Sequence, residues 1–318
     1  MAESKSVWSP RKNGLSVSGL NLWLVDRTAF ELQYLRRLEV VEPWNKNLGY
    51  GLLMQAGIEG FIKTGTVAGA YQLQNREFEK QIVQYSEIDE IAYWTRIAGH
   101  QLTTFIDYYS EDLKKYGVTK SELHHEAEVK LASGRTIKLH GYIDGEGDGI
   151  IMENKCRGEW DDQAIVDNID LDLQFNTYCL LQRAATGELP QYVWYQHIRR
   201  PCGFGYKGPR KKAKESDDDY IKRLGEAINT DREYHFYRYL ARPDKERFGR
   251  FCKECLFPIL ESFLDWYEYM TAADRTKLVN KYHWMQPYGL YDPFLKGTPE
   301  RFREYRLTGT TRGLRPRR

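Results

Sequence analysis

The sequence predicts an α/β fold, a central mixed β-sheet flanked by α-helices, with a helical elaboration on its N-terminal side. Three observations lead there. Two apolar, β-branched runs, residues 136–143 and 150–155, stand on either side of the turn Gly145-Glu146-Gly147-Asp148-Gly149 and read as strands folded on each other. A third run, residues 190–198, is rich in aromatic and β-branched residues and reads as a buried strand. Before and between these runs, long stretches repeat apolar residues at the helical period.

Taken in order, residues 1–15 are polar and are expected to be a mobile N-terminus. From 16 to 38, Leu20, Trp23, Leu24, Phe30, Tyr34, Leu35 and Leu38 fall at helical spacing. A second helix is expected over 48–64 in spite of its glycines. Gly57 and Gly60 there suggest the close approach of another element, because glycine costs about 1 kcal/mol against alanine in a helix. Gly51, Gln55 and Glu59 are spaced by four and share one face. Residues 72–116 read as one broken helix or two consecutive ones, and 122–131 turn to strand alternation.

Downstream, the acidic segment 161–172 precedes a helix over 171–183, on which Gln174, Tyr178 and Gln182 form a polar stripe. Such a stripe is either a solvated face or one that hydrogen-bonds phosphate or a base edge. A basic run of Lys207, Arg210, Lys211, Lys212 and Lys214 is followed at once by acids. That juxtaposition describes a solvated loop entering a helix whose first turn favours acids, or a loop that holds DNA backbone. A last strand is expected over 233–240, beside the 190–198 strand, and a long amphipathic helix over 243–270. From 297 to 318 seven arginines stand against two glutamates, so 281–318 reads as an irregular basic tail.

Composition narrows the classes. With 41% hydrophobic and 29% charged residues, the 318-residue chain is that of a globular protein able to bury a full core. No apolar run reaches membrane-spanning length and the first residues lack a secretory apolar core, so a cytoplasmic location without membrane partners is expected. The net charge of +2 gives no overall attraction to nucleic acid, which has to come from local clusters. Five cysteines, an odd number, argue against a disulfide framework, and the lone Cys252-x-x-Cys255 pair is expected in a helical core, not on zinc.

The chemistry concentrates at 144–155. Asp144 leaves one strand, and Glu153 and Lys155 lie two apart on the other, so the strand period points both side chains to one face. Two carboxylates are hard ligands suited to Mg²⁺ or Mn²⁺, and a neighbouring ammonium orients water or offsets charge on a phosphoryl oxygen. An exposed cross-strand ion pair would use the same residues. The apolar Ile150-Ile151-Met152 ahead of Glu153 favours function, since charge at the end of a buried strand is costly. The glycines of the turn are not a dinucleotide fingerprint: the third spacing is wrong and a strand follows instead of a helix.

The order Gly141-Tyr142-Ile143-Asp144-Gly145, then Ile150-Ile151-Met152-Glu153-Asn154-Lys155, then a helix with Gln174-x-x-x-Tyr178, resembles the PD-(D/E)XK nuclease superfamily. Within it the chain is most similar to the RecB-like and lambda-exonuclease-like branch of phage exonucleases, over about residues 16–240. The resemblance implies a restriction-endonuclease-like core in a single domain over 16–280, with a helical part 16–120, a catalytic core 121–240 and a C-terminal helix 242–270. It further implies a metal-dependent DNA nuclease, an exonuclease leaving 5′-phosphates, at work in phage DNA recombination, repair or replication in the host cytoplasm. Asp144, Glu153 and the backbone carbonyl of Asn154 would hold the Mg²⁺ or Mn²⁺, with Glu59 or Gln55 as a further ligand, and Lys155 would complete the catalytic set. Gln174 and Tyr178, with Lys207, Arg210, Lys211 and Lys212, would contact DNA; a second copy of the chain or a single-strand-annealing protein is the implied partner. The sequence departs from the family at Gln55, where relatives often have histidine, and at Asp26-Arg27, where relatives with an iron–sulfur cluster have Cys-Pro. No such cluster is expected. The rival reading is a non-catalytic nucleic-acid-binding protein that has kept the fold; a two-carboxylate glycosidase gains nothing from the lysine.

Overall fold

The computed structural model describes residues 8–35, 37–40, 43–202, 206–272 and 314–316. The chain runs through β1 (Leu15–Ser16), α1 (Val17–Val25), α2 (Arg27–Phe30) with a π-helical turn, β2 (Leu38–Val40), α3 (Lys46–Thr64), α4 (Val67–Gln84) and α5 (Ile88–Lys115). Then come β3 (Leu123–Lys130), β4 (Thr136–Ile143), β5 (Gly145–Glu146), β6 (Ile150–Arg157), α6 (Asp162–Asn168), α7 (Leu173–Thr186) and β7 (Tyr192–Arg199). Last are α8 (Asp217–Thr230), α9 (Arg232–His235), β8 (Phe236–Ala241), α10 (Lys245–Phe251), α11 (Phe257–Ala272) and β9 (Leu314–Pro316). Where the sequence suggests one domain over 16–280, these elements gather into two compact units. One lies within 1–42, 126–141 and 249–318, the other within 43–125 and 142–248.

The second unit is an α/β sandwich. Its sheet has the order β5-β6-β7-β8, with β6 and β7 parallel and both outer pairs antiparallel. The strand alternation sends Met152 and Cys156 to one face, where Tyr50, Leu53, Met54 and Ile58 of α3 and Leu102 and Phe105 of α5 complete the core. Glu153 and Lys155 face the other way, toward α7. Asn45 caps α3 by accepting from the N–H groups of Asn47 and Leu48, and Gly65 ends the helix in the left-handed region at φ 67°. The close approach expected at Gly57 and Gly60 is present: a Cβ on Gly57 would sit 2.3 Å from Leu102, and one on Gly60 2.4 Å from the Gly69 carbonyl. Residues 72–116 form parts of two helices, α4 and α5.

The first unit holds a three-stranded sheet, order β1-β4-β3, with β1 parallel to β4 in the register Leu15↔Leu139. The helix expected over 16–38 is interrupted at Asp26, which is extended and whose carboxylate accepts from the Ala29 N–H to start α2. Of the N-terminus expected to be mobile, residues 8–15 are described, and Arg11 and Lys12 among them are exposed. Trp8 and Leu15 are buried, and Trp8 stands edge-on to Phe30 and Phe263 in a cluster that also takes in Trp23 and Trp266. Burying that much aromatic surface outweighs the polarity of the flanking residues. Cys252 is buried in the helical run joining α10 and α11, as a core cysteine would be. Most of the basic tail lies outside the described residues; Leu314–Pro316 pair antiparallel with β2.

Candidate active site

The site is built on β6. Its first half, Ile150, Ile151 and Met152, is buried, as a strand covered on both faces requires. The expected hairpin between 136–143 and 150–155 is not formed. β4 neighbours β1 and β3 instead, and the strand that folds back on β6 is the two-residue β5, in the register Gly145↔Met152 and Glu146↔Ile151. The turn glycines make this possible by contact: a Cβ on Gly147 would fall 2.2 Å from the Tyr116 carbonyl, and one on Gly145 2.9 Å from Met152. Asp144 is the bend between β4 and β5, and the charge of Glu153 acts on its carboxyl. The Asn154 N–H donates to Asp144 Oδ2 at 2.6 Å and fixes that carboxylate beside the strand. Because the N–H and C=O of an extended residue point to the same side, the Asn154 carbonyl also faces Asp144.

Glu153 is buried, with 4% of its surface exposed. Its Oε1 takes the Lys155 ammonium at 2.5 Å and the Gln174 amide N–H at 2.7 Å. Gln174 closes the ring: its Oε1 accepts from Lys155 Nζ at 2.6 Å, while its Nε2 also donates to the Tyr178 hydroxyl at 3.0 Å. This clasp depends on α7 beginning where it does, with Asp172 accepting from the Phe175 N–H at 2.7 Å as its cap. The stripe of Gln174, Tyr178 and Gln182 therefore faces the sheet, and burial of Tyr178 and Gln182 excludes a solvated face. Gln174 and Tyr178 hold the acid and the lysine, with their polar atoms turned inward.

From the other side α3 brings Gln55. It accepts from Asn154 Nδ2 at 3.1 Å and donates to Glu122 Oε1 at 2.8 Å. Gln55, Asp144, Glu153 and Asn154 line one cavity of about 260 Å³, with Gly51 and Cys156. Glu59, one turn further along α3, pairs with Lys63 and is not part of that lining. Of the two helix residues, the structure brings Gln55 to the acids. It also brings Glu122, the residue just ahead of β3. This residue holds a left-handed backbone at φ 51°, unusual outside glycine, and its charge bears on Asp144. An acid just before an alternating strand was the only local sign of it.

The electrostatics are those of crowded acids out of water. Burial, then the charge of Glu153, pushes the Asp144 carboxyl well above the usual carboxylate range, against the pull of the Asn154 N–H. Burial raises Glu153 as well, with Lys155 and Gln174 opposing it. Burial and the Glu153 charge raise the Tyr178 hydroxyl. One oxygen, Glu153 Oε2, is buried with no hydrogen-bond partner among the described residues. A divalent cation fits this set: it would engage the orphaned oxygen and relieve two facing carboxylates. Among the described residues no three His, Cys, Asp or Glu side chains converge as a metal cage.

The basic loop is tied down partly by its own acids and partly by backbone hydrogen bonds. Lys211 pairs with Asp217, the Lys212 N–H donates to Glu215, the Arg210 carbonyl accepts from Arg223, and the Lys207 N–H donates to the Tyr234 hydroxyl. All four basic side chains are exposed, and none lines the cavity with Asp144. Arg223 and the Lys212 N–H hold the Glu215 carboxyl down to about 2.

No family model and no curated protein matches the sequence. Among solved structures, that of SSO0001 is similar, with 17% identity and a TM-score of 0.23 over 57% of this chain and 78% of that one. A likeness at that TM-score carries no argument. Fold and site together define an α/β protein with a mixed, helix-flanked sheet, a buried glutamate in the middle of one inner strand and a half-buried aspartate beside it. Among the described residues no helix is long and apolar enough to cross a membrane.

Proposed function

We propose that the chain is a metal-dependent DNA nuclease, an exonuclease leaving 5′-phosphates, acting in the cytoplasm in phage DNA recombination, repair or replication. The observation that carries this reading is the Asp144 carboxylate fixed on the Asn154 N–H next to Glu153, with Lys155 held on Glu153 by Gln174. Asp144, Glu153 and the Asn154 carbonyl would hold Mg²⁺ or Mn²⁺, which when bound would polarise the phosphodiester and lower the pKa of water. The rest of the work falls to this chain's own groups. Lys155, with its ammonium partly exposed at the end of a buried strand, donates to the attacking water and offsets charge gathering on the phosphoryl oxygens. Gln174 keeps that ammonium and the Glu153 carboxylate side by side, and Gln55 steadies Asn154 and Glu122. Both acids must be ionised to bind a cation, so metal binding releases protons and activity rises with pH through their raised pKa values.

Linear and circular DNA incubated with the protein in Mg²⁺, Mn²⁺ or EDTA tests this directly. Cleavage of linear DNA with either metal and none with EDTA is expected. Glu153→Ala and Lys155→Ala should each abolish cleavage and leave DNA affinity within about threefold; unchanged rates in either variant overturn the assignment. DNA binding without cleavage under any metal would leave the non-catalytic binding protein in its place.

A further inference from the structure

The connection from α7 to β7 and the end of β8 meet around a cavity of about 470 Å³, separate from the one at Asp144. Arg183, Arg242 and Lys245 line it, with Glu188 as its one acid. They come from places far apart in the sequence. Arg183 stands in the last turn of α7, which Gly187 ends in the left-handed region at φ 86°. Arg242 follows β8 directly, and the antiparallel pairing Val193↔Ala241 brings it to the start of β7. Lys245 opens α10.

Local needs account for one of these three cations. An arginine in the last turn of a helix answers the negative end of its dipole. Lys245 stands at the other end of its helix, where the dipole repels a cation. None of the three has an ion pair or a side-chain hydrogen bond among the described residues. Asp244, between Arg242 and Lys245, is engaged in starting α10, where it accepts from the Arg247 N–H at 2.8 Å. Like charges gathered at one cavity repel, and here they exceed the single acid by two. The carboxyl end of α7 offsets about half a charge of that surplus. What remains matches a phosphate monoester, which carries about −1.5 to −2 at neutral pH; a phosphodiester or a carboxylate brings only one charge. Two guanidinium forks also suit the paired oxygens of a phosphate. The volume falls among small-molecule pockets, about 300–1,000 Å³. Tyr192, half-buried, joins Pro190 and Pro243 in giving it an apolar wall beyond the charges.

We infer that this cavity binds a small molecule ending in a phosphate monoester, the phosphate on Arg183, Arg242 and Lys245 and the remainder against Tyr192. The inference stands apart from the nuclease reading. Tyr192 lies beside Ile150, which precedes Lys155 by five residues on β6, so the cavity is about 17 Å along the strand from that lysine.

The test is titration calorimetry on the full protein in EDTA, where no cation occupies the acids and DNA is not cut. The probes are inorganic phosphate, adenosine 5′-monophosphate, adenosine, and a single-stranded oligonucleotide without terminal phosphates. Phosphate and the monophosphate should bind, the monophosphate more tightly, and adenosine should not. Affinity for the monophosphate should rise as pH passes through about 6, where the phosphate takes its second charge. Arg183→Ala, Arg242→Ala and Lys245→Ala should each weaken binding by about 5-fold, the upper worth of an exposed ion pair, and the triple variant should bind neither phosphate probe. All three side chains are exposed, so the variants should melt as the native protein does. Failure of both phosphate probes, undiminished affinity in the triple variant, or adenosine binding as tightly as its monophosphate overturns the site. Oligonucleotide binding that the triple variant loses, without binding of the monophosphate, makes the cavity a contact for nucleic-acid backbone and overturns the small ligand. Because no probe has to be cleaved, failure of the nuclease reading leaves each of these outcomes as decisive as before.

Discussion

Replacing Gln174 with leucine keeps most of the side-chain bulk and strips the amide that holds the site together. In the native chain the amide donates to Glu153 at 2.7 Å and accepts from Lys155 at 2.6 Å. Hydrogen bonds to charged groups are worth about 1.5–3 kcal/mol each, so the two together set a ceiling of about 3–6 kcal/mol. Two facts lower it. The direct Lys155–Glu153 contact at 2.5 Å survives, and the lysine side chain is 23% exposed and regains water. About half the ceiling, about 1.5–3 kcal/mol, is the cost to the aligned pair, which at 1.36 kcal/mol per decade is about 13- to 160-fold in rate. That loss should fall on kcat, with KM within about threefold, because the amide bonds to protein groups. Its N–H is also one of the groups opposing the upward push of burial on Glu153, so the acid limb of the pH–rate profile should move to higher pH. Steady-state cleavage of end-labelled linear DNA across pH measures all three. A Gln174→Leu enzyme within threefold of the native rate, or one whose loss lies wholly in KM, refutes the reasoning.

Two further outcomes are expected. The raised Asp144 pKa means that, without metal, the folded chain binds a proton more tightly than the unfolded chain. That contribution is fully present below the ordinary aspartate value of about 4 and is lost as pH rises through the folded value. Asp144→Asn should flatten this dependence, matching the native Tm at low pH and exceeding it at neutral pH in EDTA; parallel Tm-against-pH curves would show the aspartate is not perturbed. In the basic loop, Lys207→Ala with Arg210→Ala should reduce the slope of log affinity against log salt by about 0.9 per lost phosphate contact on duplex DNA. Lys211→Ala should change it little, because that charge is already paired with Asp217. An unaltered slope in the double variant removes the loop from the DNA-binding surface.

How much of this could be read from the chain follows from which interactions are local. The shared face of Glu153 and Lys155 and the stripe of Gln174, Tyr178 and Gln182 follow from periods of 2 and 3.6 residues, and both fall where expected. The partner of the strand that carries Glu153 is another matter. Thr136–Ile143 looked like its mate because the two runs are adjacent and apolar, but β4 pairs with β1 and β3, a long-range choice that adjacency does not encode. Gln55 and Glu59 lie one turn apart on the same helix face, and only tertiary packing selects Gln55. Glu122 reaches the acids through a left-handed backbone that its residue type does not advertise. Trp8 sits in a polar stretch, and its burial depends on Phe263 and Tyr267, more than two hundred residues away in the chain.

The bond from the Asn154 N–H to Asp144 Oδ2 has a consequence for observing the protein at rest. Most amides in a sheet report only on the ladder; this one ends on a side chain whose charge changes. Its proton resonance will shift when that oxygen gains a proton or a cation, so an isotope-labelled sample carries a built-in indicator of occupancy that needs neither substrate nor turnover.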